Sequence, residues 1–600
     1  MPGLRDYLEI RSAVPTSFSP DGSKVLVLSN LTGTFQPYRV ARSGGELRQV
    51  VQLEEPVSGS YLPTCEDVLL SVDSGGDERH QLLLVHDDGT GLRPLTDDPE
   101  AIHRAGGVTR DGSFLAFASN VRNGVDFDVY TLGLDGSGPP VARRVFAPGG
   151  WCQAAGFSPD GRWLAVVRLT ERNADNDLYL VEMGGSEVVH VSPHDDEATF
   201  TGPSWLPDSS AFFFATDCGR DRRAIARYDL SARAWDYVLE PPWDASCAID
   251  WPGRRLLVTT NVEGCTEAEV VDPDTMATLG RVQLPGRGVA VFVFSQDGRY
   301  LASSFTSSTE PGDAWLHHLD NGRLTRLTRS PGAVAAGSMV EPELHRFSSF
   351  DGEQVPVFVY LPRRRPSPVP VVVMVHGGPE SQYRPVFNPL AQYFVDRGYA
   401  VAAPNVRGST GYGRRYHHLD DVERRLDSVA DLAALHDWLG RDGRFDVRRA
   451  VLWGASYGGY MVLAGLAFQP ERWAAGVDVV GISSLVTFLE NTSPWRRASR
   501  EREYGWLERD RAFLERASPI THVERIRAPL FVIHGANDPR VPLSEAQQIH
   551  SVLSARGVPT ELVVYPDEGH GLARLENRVD AYTKAVDFLD RVLPPASMSR

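Results

Sequence analysis

The 600-residue sequence predicts two domains, an N-terminal β-propeller and a C-terminal α/β domain built on a largely parallel sheet. Three observations carry this expectation. A short turn motif recurs about every 45 residues through the first half. After roughly residue 340, strands begin to alternate with long helical patterns. One late strand-to-helix junction holds a serine between glycines, Gly454-Ala455-Ser456-Tyr457-Gly458.

The turn motif is clearest in Phe18-Ser19-Pro20-Asp21-Gly22, Phe157-Ser158-Pro159-Asp160-Gly161 and Phe294-Ser295-Gln296-Asp297-Gly298. Weaker copies begin at Leu62, Thr109, Leu206 and Trp251, which makes seven in order. Five apolar runs of β character follow these turns, such as Lys24-Val25-Leu26-Val27-Leu28 and Ala211-Phe212-Phe213-Phe214. Proline presets φ and glycine accepts positive φ, so the motif joins two strands of a blade. Seven turns predict seven four-stranded blades. A two-sheet sandwich would also use many turns but has no need of a fixed period.

In the second half, Val369-Pro370-Val371-Val372-Val373-Met374-Val375 reads as a buried strand and 388–397 as a helix ending at Gly398. The next strand is 399–403, followed by an amphipathic helix over 422–439 and the strand Ala450-Val451-Leu452-Trp453. Pro529-Leu530-Phe531-Val532-Ile533 and Glu561-Leu562-Val563-Val564-Tyr565 are later strands, and 579–592 is a closing helix. The expected boundaries are 1–13 for a leading segment, 14–338 for the propeller and 339–600 for the α/β domain.

Composition narrows the function. The apolar share of 42% and charged share of 23% are those of a globular protein, and no run reaches the roughly 20 apolar residues of a membrane span. A net charge of −17 argues against a nucleic-acid partner, because phosphate affinity comes from an excess of Lys and Arg. The arginine-rich stretch 363–368 reads as a solvated turn. Five scattered cysteines without C-x-x-C spacing read as reduced thiols, and the start lacks a basic-then-apolar leader. A cytoplasmic location is therefore expected.

The serine supplies the chemistry. A tight turn between strand and helix needs small neighbours, and Gly454 and Gly458 provide them. This is the nucleophile elbow of an α/β-hydrolase, whose acid and histidine follow in that order. Asp538 stands in the loop after the strand 529–533, and His570 in the loop after 561–565. Ser456 is then the nucleophile, His570 the general base and acid, and Asp538 the group that orients His570. Asp567 lies outside the strand-end position, and His534 reads as a structural strand-end residue. The pairs His417-His418 and His317-His318 show no metal-site spacing, so neither metal nor cofactor is expected. The oxyanion donors are expected to be the N–H of Tyr457 and an N–H in His376-Gly377-Gly378-Pro379, with Gly378 preferred to Gly377.

Taken with Asn405-Val406-Arg407-Gly408-Ser409-Thr410-Gly411-Tyr412-Gly413, these motifs make nearly the whole chain resemble the prolyl oligopeptidase family of serine peptidases. The resemblance implies a propeller that caps the active site and admits short peptides, with the leading segment packed on the hydrolase domain. It also implies that Arg540, two residues after the acid, binds a substrate carbonyl or carboxylate. The segment before the acid strand then brings Trp495, Arg496 and Arg497 near substrate. His376 stands where the dipeptidyl-peptidase and prolyl-endopeptidase branches carry a tyrosine. Glu54-Glu55, the only adjacent Glu pair of the propeller half, does not resemble the amine-holding insertion of dipeptidyl peptidases and reads as a surface pair. The branch expected is thus the acylaminoacyl-peptidase type, acting on short or N-blocked peptides through an acyl-enzyme. A carboxypeptidase or prolyl-type oligopeptidase, or a non-peptide carboxylesterase, is the alternative. Short peptides are the expected partners, with a homo-oligomer left open.

Overall fold

A computed structural model describes residues 2–134, 141–363 and 368–593. Seven four-stranded antiparallel sheets span 13–49, 57–94, 103–146, 152–190, 204–239, 245–281 and 289–326, each made of consecutive strands. The first and last blades share a core in which Ala13, Val25 and Val27 meet Ala302, Ala314 and Leu316. The ring is therefore closed by apolar packing and not by a strand lent from one end to the other.

The repeated turn has a common mechanism. Gly22 takes φ +66°, while Asp21 Oδ1 accepts from Ser19 Oγ at 2.6 Å and from the Ser23 N–H at 2.9 Å. The same serine-to-aspartate bond recurs in Ser158–Asp160 at 2.5 Å and Ser295–Asp297 at 2.6 Å. These donors favour the ionised carboxylate, and the Ser19 hydroxyl above all holds Asp21 at about 2. The motif is conformational and has no part in chemistry.

The α/β domain has an eight-stranded sheet among the described residues: β1 (Glu343–Ser348), β2 (Gln354–Tyr360), β3 (Val369–Val375), β4 (Ala400–Pro404), β5 (Phe445–Ala455), β6 (Ala475–Val479), β7 (Leu530–Gly535) and β8 (Thr560–Tyr565). Their order is β1-β2-β4-β3-β5-β6-β7-β8. The pairs β1–β2 and β2–β4 are antiparallel and the rest parallel. Every residue of β3 is buried, as expected for a strand covered on both faces. Helices cover both faces, with Leu432 and Leu463 in one core and Phe394 and Phe588 in the other.

The helix expected over 422–439 differs at its start. Val422–Arg424 is a 3-10 turn, and the α-helix runs Arg425–Asp442 to the left-handed Gly443. The strand expected over 450–453 is the end of the longer β5. The short helix Leu4–Leu8 buries Leu4 and Leu8 beside Leu390 and Phe394 of the α/β domain. The arginine-rich stretch falls mostly at 364–367, outside the described residues.

Candidate active site

Ser456 joins β5 to the helix Tyr457–Phe468 with φ +59° and ψ −119°, a conformation costly for a non-glycine residue. Its neighbours are squeezed accordingly. A Cβ on Gly454 would lie 2.1 Å from the Gly458 carbonyl oxygen, and one on Gly458 would lie 2.2 Å from the Val375 carbonyl oxygen. The Ser456 N–H donates to the Val479 carbonyl at 2.9 Å, which ties the elbow to β6.

His570 follows β8 and Asp538 follows β7. His570 Nε2 lies 2.9 Å from Ser456 Oγ, and His570 Nδ1 lies 2.8 Å from Asp538 Oδ2. The other Asp538 oxygen accepts from the N–H groups of Arg540 at 2.8 Å and Val541 at 3.0 Å. The acid is thus buried and fully bonded, which fixes its direction. His534 is buried, with Nε2 2.9 Å from the Val541 carbonyl, and burial lowers its proton affinity. It supports the acid loop and lies outside the Ser–His–Asp chain.

The loop after β3 meets the elbow directly. A Cβ on Gly377 would stand 3.0 Å from the Ala455 carbonyl oxygen and 3.4 Å from Ser456 Cβ. The next residue, Gly378, adopts φ +126°. This loop is pinned by an ion pair that the sequence reading missed. Glu380 receives both Arg500 Nη atoms, at 2.9 and 3.2 Å, from the helix Pro494–Tyr504. Burial alone would raise Glu380, but Arg500 holds its carboxyl below the usual range.

A cavity of about 850 Å³ between the propeller and the α/β domain reaches His570. Its lining includes His570 and Arg540 from below and Glu55, Glu78, His103 and Arg104 from the propeller. The propeller loop 73–80 sits on the histidine loop so closely that a Cβ on Gly569 would lie 1.9 Å from the Gly76 carbonyl oxygen. Asn537 Nδ2 donates to the Gly75 carbonyl at 3.0 Å. In the same loop Glu78 adopts φ +60° and accepts a bond from Arg540 Nε.

The other expected substrate contacts divide. Trp495 packs edge-on against Phe127 of the propeller, 5.9 Å between centroids, and lines an adjoining cavity of about 820 Å³. Arg496 stacks on Trp495 with its guanidinium carbon 5.1 Å from the ring centroid, and burial lowers its pKa to about 10. Arg497 pairs with Glu501 at 3.1 Å along its own helix, and neither it nor Arg496 is among the residues lining the cavity. Glu54-Glu55 is corrected. Glu54 is exposed, but Glu55 lines the cavity and pairs with Arg574 at 2.8 Å. Of these residues, Glu78 and Arg104 carried no sequence signal, since a single Glu in a turn and a single Arg on a strand are commonplace.

Behind the elbow, two buried groups contrast. Tyr457 Oη lies 3.1 Å from Asp420 and 2.7 Å from Ser428 Oγ, within a cluster centred on Arg425. Asp420, Asp421 and Glu503 bring ligand oxygens within 4.8 Å of one another, but Arg425 already bonds Asp420 and Glu503. Asp478, at the end of β6, has no such partner. Neither oxygen accepts a hydrogen bond of good geometry, and burial raises its pKa to about 7, opposed in part by the Gly481 N–H.

Asp478 sets a pH dependence. Its folded pKa lies above the ordinary value, so its stabilising contribution is present below about 4 and is lost as pH rises through about 7. At about 1.4 kcal/mol per pH unit, about 4 kcal/mol is at stake. Asp478→Asn, neutral at every pH, is expected to melt above the wild type by a margin that grows from pH 5 to pH 8. Melting curves across that range test this, and a margin independent of pH would contradict it.

These elements define a propeller-capped α/β-hydrolase with a serine at its nucleophile elbow. Comparison with known proteins agrees and narrows the class. Residues 385–595 match the model of the prolyl oligopeptidase family. The chain is 29% identical to dipeptidyl aminopeptidase BIII of Pseudoxanthomonas mexicana over 583 residues, 93% of this chain and 84% of that protein. It is 28% identical to the acylamino-acid-releasing enzyme of Rattus norvegicus over 232 residues, 37% of this chain and 31% of that one. In fold it is similar to a puromycin-hydrolyzing peptidase of Mycobacterium tuberculosis, with TM-score 0.86 and 20% identity over 99% of this chain and 96% of the other. The match to the prolyl oligopeptidase family of serine peptidases thus covers residues 385–595, and relatives aligned over most of the chain are themselves named peptidases.

Proposed function

We propose that the protein is an exopeptidase that removes short amino-terminal fragments from small peptides, with Ser456, His570 and Asp538 as its triad. Ser456 Oγ attacks the scissile carbonyl carbon while His570 Nε2 takes its proton. The negative oxygen is received by the N–H groups of Tyr457 and Gly378. His570 then protonates the leaving amine, and an ester to Ser456 remains. Water, deprotonated by His570, hydrolyses that ester and restores the serine. Asp538 stabilises the imidazolium formed in both halves. The cavity of about 850 Å³ suits short substrates.

The observation that carries the amino-terminal reading is Glu78. It is a propeller carboxylate in a strained backbone conformation, inside the cavity and bonded to Arg540 through Oε1. Its Oε2 has no protein partner among the described residues and is positioned for a substrate ammonium. Arg540 orients Glu78 and keeps donors for a substrate carbonyl. One relative that aligns over most of the chain is named a dipeptidyl aminopeptidase, which supports this reading over the N-blocked one. The His376-Gly377-Gly378-Pro379 loop supports the acylaminoacyl type.

Cleavage of matched peptides, free and N-acetylated, followed by mass spectrometry, separates these. Free peptides are expected to react faster. Glu78→Gln is expected to lower kcat/KM about 10–100-fold on free peptides, as for a lost charge-assisted hydrogen bond, and to spare acetylated ones. Preference for acetylated peptides would instead establish the acylaminoacyl type, and release of single carboxyl-terminal residues the carboxypeptidase type.

A further inference from the structure

Each acidic group of the cavity has at least one partner, Asp73 accepting from the Glu78 N–H at 3.0 Å. Glu55 has Arg574 at 2.8 Å, Glu78 has Arg540, and Glu568 accepts from the N–H groups of Ala573 at 2.8 Å and Arg574 at 2.9 Å. Arg104 has no such partner. It lines the cavity, makes no ion pair or side-chain hydrogen bond among the described residues, and is half-buried on the propeller strand His103–Val108. What it has is rings: its guanidinium carbon lies 5.1 Å from the centroid of Phe127, 5.5 Å from Trp151 and 5.3 Å from Trp495.

Aromatic faces attract a cation through their quadrupole, but they offer no lone pair to the in-plane N–H donors. Burial accordingly lowers the pKa of Arg104, with Glu78 pulling the other way and Arg540 adding to the effect. Arg496 nearby is in the same condition, with its buried Nε unpartnered. Arg104 and Arg540 both line the cavity, but Arg540 is taken up by Glu78, and Arg496 lies against Trp495 outside the lining, which leaves Arg104 as the cavity guanidinium without an acid of its own among the described residues. A guanidinium with no acid partner draws an anion, and its planar fork of N–H donors can make a two-point bond to a carboxylate.

We propose that Arg104, framed by Phe127, Trp151 and Trp495, is a subsite that binds a carboxylate of the peptide substrate. The inference rests on the reading of this cavity as the peptide site. Two sources offer that chemistry, an acidic side chain and the free carboxyl terminus of a short peptide. A purely structural Arg104, bridging the propeller to Trp495, would affect stability without discriminating between substrates.

The test is a ratio of kcat/KM values on one enzyme, which general loss of activity does not move. One arm compares Glu with Gln at each position of short peptide amides, and the other compares neutral peptides as free acids and as amides. The wild type is expected to favour the carboxylate tenfold or more in one arm, which names the source. Arg104→Gln is expected to bring that ratio to about one, and Arg104→Lys to retain part of it, since charge remains but the fork is lost. Wild-type ratios within twofold of one in both arms overturn the proposal, as does a ratio that survives either substitution in full. If Arg104→Gln does not fold, Arg104→Lys and the wild-type ratios still decide. Failure of the amino-terminal reading would appear separately, as indifference of neutral peptides to N-acetylation.

Discussion

Ser456→Ala is expected to lower kcat/KM by about 10⁵–10⁶ while leaving the melting temperature and circular dichroism unchanged. The size of the loss follows from the geometry. The hydroxyl is the only atom removed, and it is the one 2.9 Å from His570 Nε2. Alanine inherits the φ +59° strain without the nucleophile, so the elbow keeps its shape and its cost. His570→Ala should be nearly as severe and Asp538→Ala less so, because the base still functions when its orienting acid is gone. The double variant Ser456→Ala with His570→Ala should be no worse than either alone, since the two act in one step. Peptide hydrolysis and fluorophosphonate labelling read these out. A folded Ser456→Ala protein within 100-fold of the wild type would remove Ser456 from the mechanism.

The elements legible in the sequence share one property: their meaning is local. The Ser19–Asp21 bond and Gly22 lie within five residues, so the propeller turns announce themselves, and their period gives the blade count. The elbow reads from Gly454 to Gly458 because the crowding there is between near neighbours. Asp538 and His570 stand out in the sequence because each follows a strand that is readable by itself. Glu78 and Arg540 bond across 462 residues, and only the docking of propeller on hydrolase brings them together. Arg104 needs three rings, from two blades and a hydrolase helix, to become distinctive. Arg496 and Arg497 stand side by side in one segment, yet successive helix positions point about 100° apart. That rotation sends one inward and the other along the surface to Glu501.

The same limit applies to Arg425, which stands in a run of charges that reads as a solvated helix start. It is fully buried, paired with Asp420 and Glu503, and its guanidinium carbon lies 5.2 Å from the ring centroid of Tyr457 and 4.9 Å from that of Tyr504. From the propeller, Asn173 Nδ2 donates to Glu503 at 2.7 Å and to Asp421 at 3.1 Å. Arg425→Met would leave two carboxylates in a low-dielectric interior with no counter-charge, a loss of about 3–5 kcal/mol. For a domain of this size that is a fall in melting temperature of about 6–20 °C. Adding Glu503→Gln should recover part of it, because one of the two stranded charges is then gone. Tyr457 would also lose the cation on its ring, and its N–H is a proposed oxyanion donor, so kcat should fall more than KM rises. Melting curves with steady-state kinetics measure both effects. A stability loss below about 1 kcal/mol would mean that water reaches the site and that Arg425 does not hold the elbow in place.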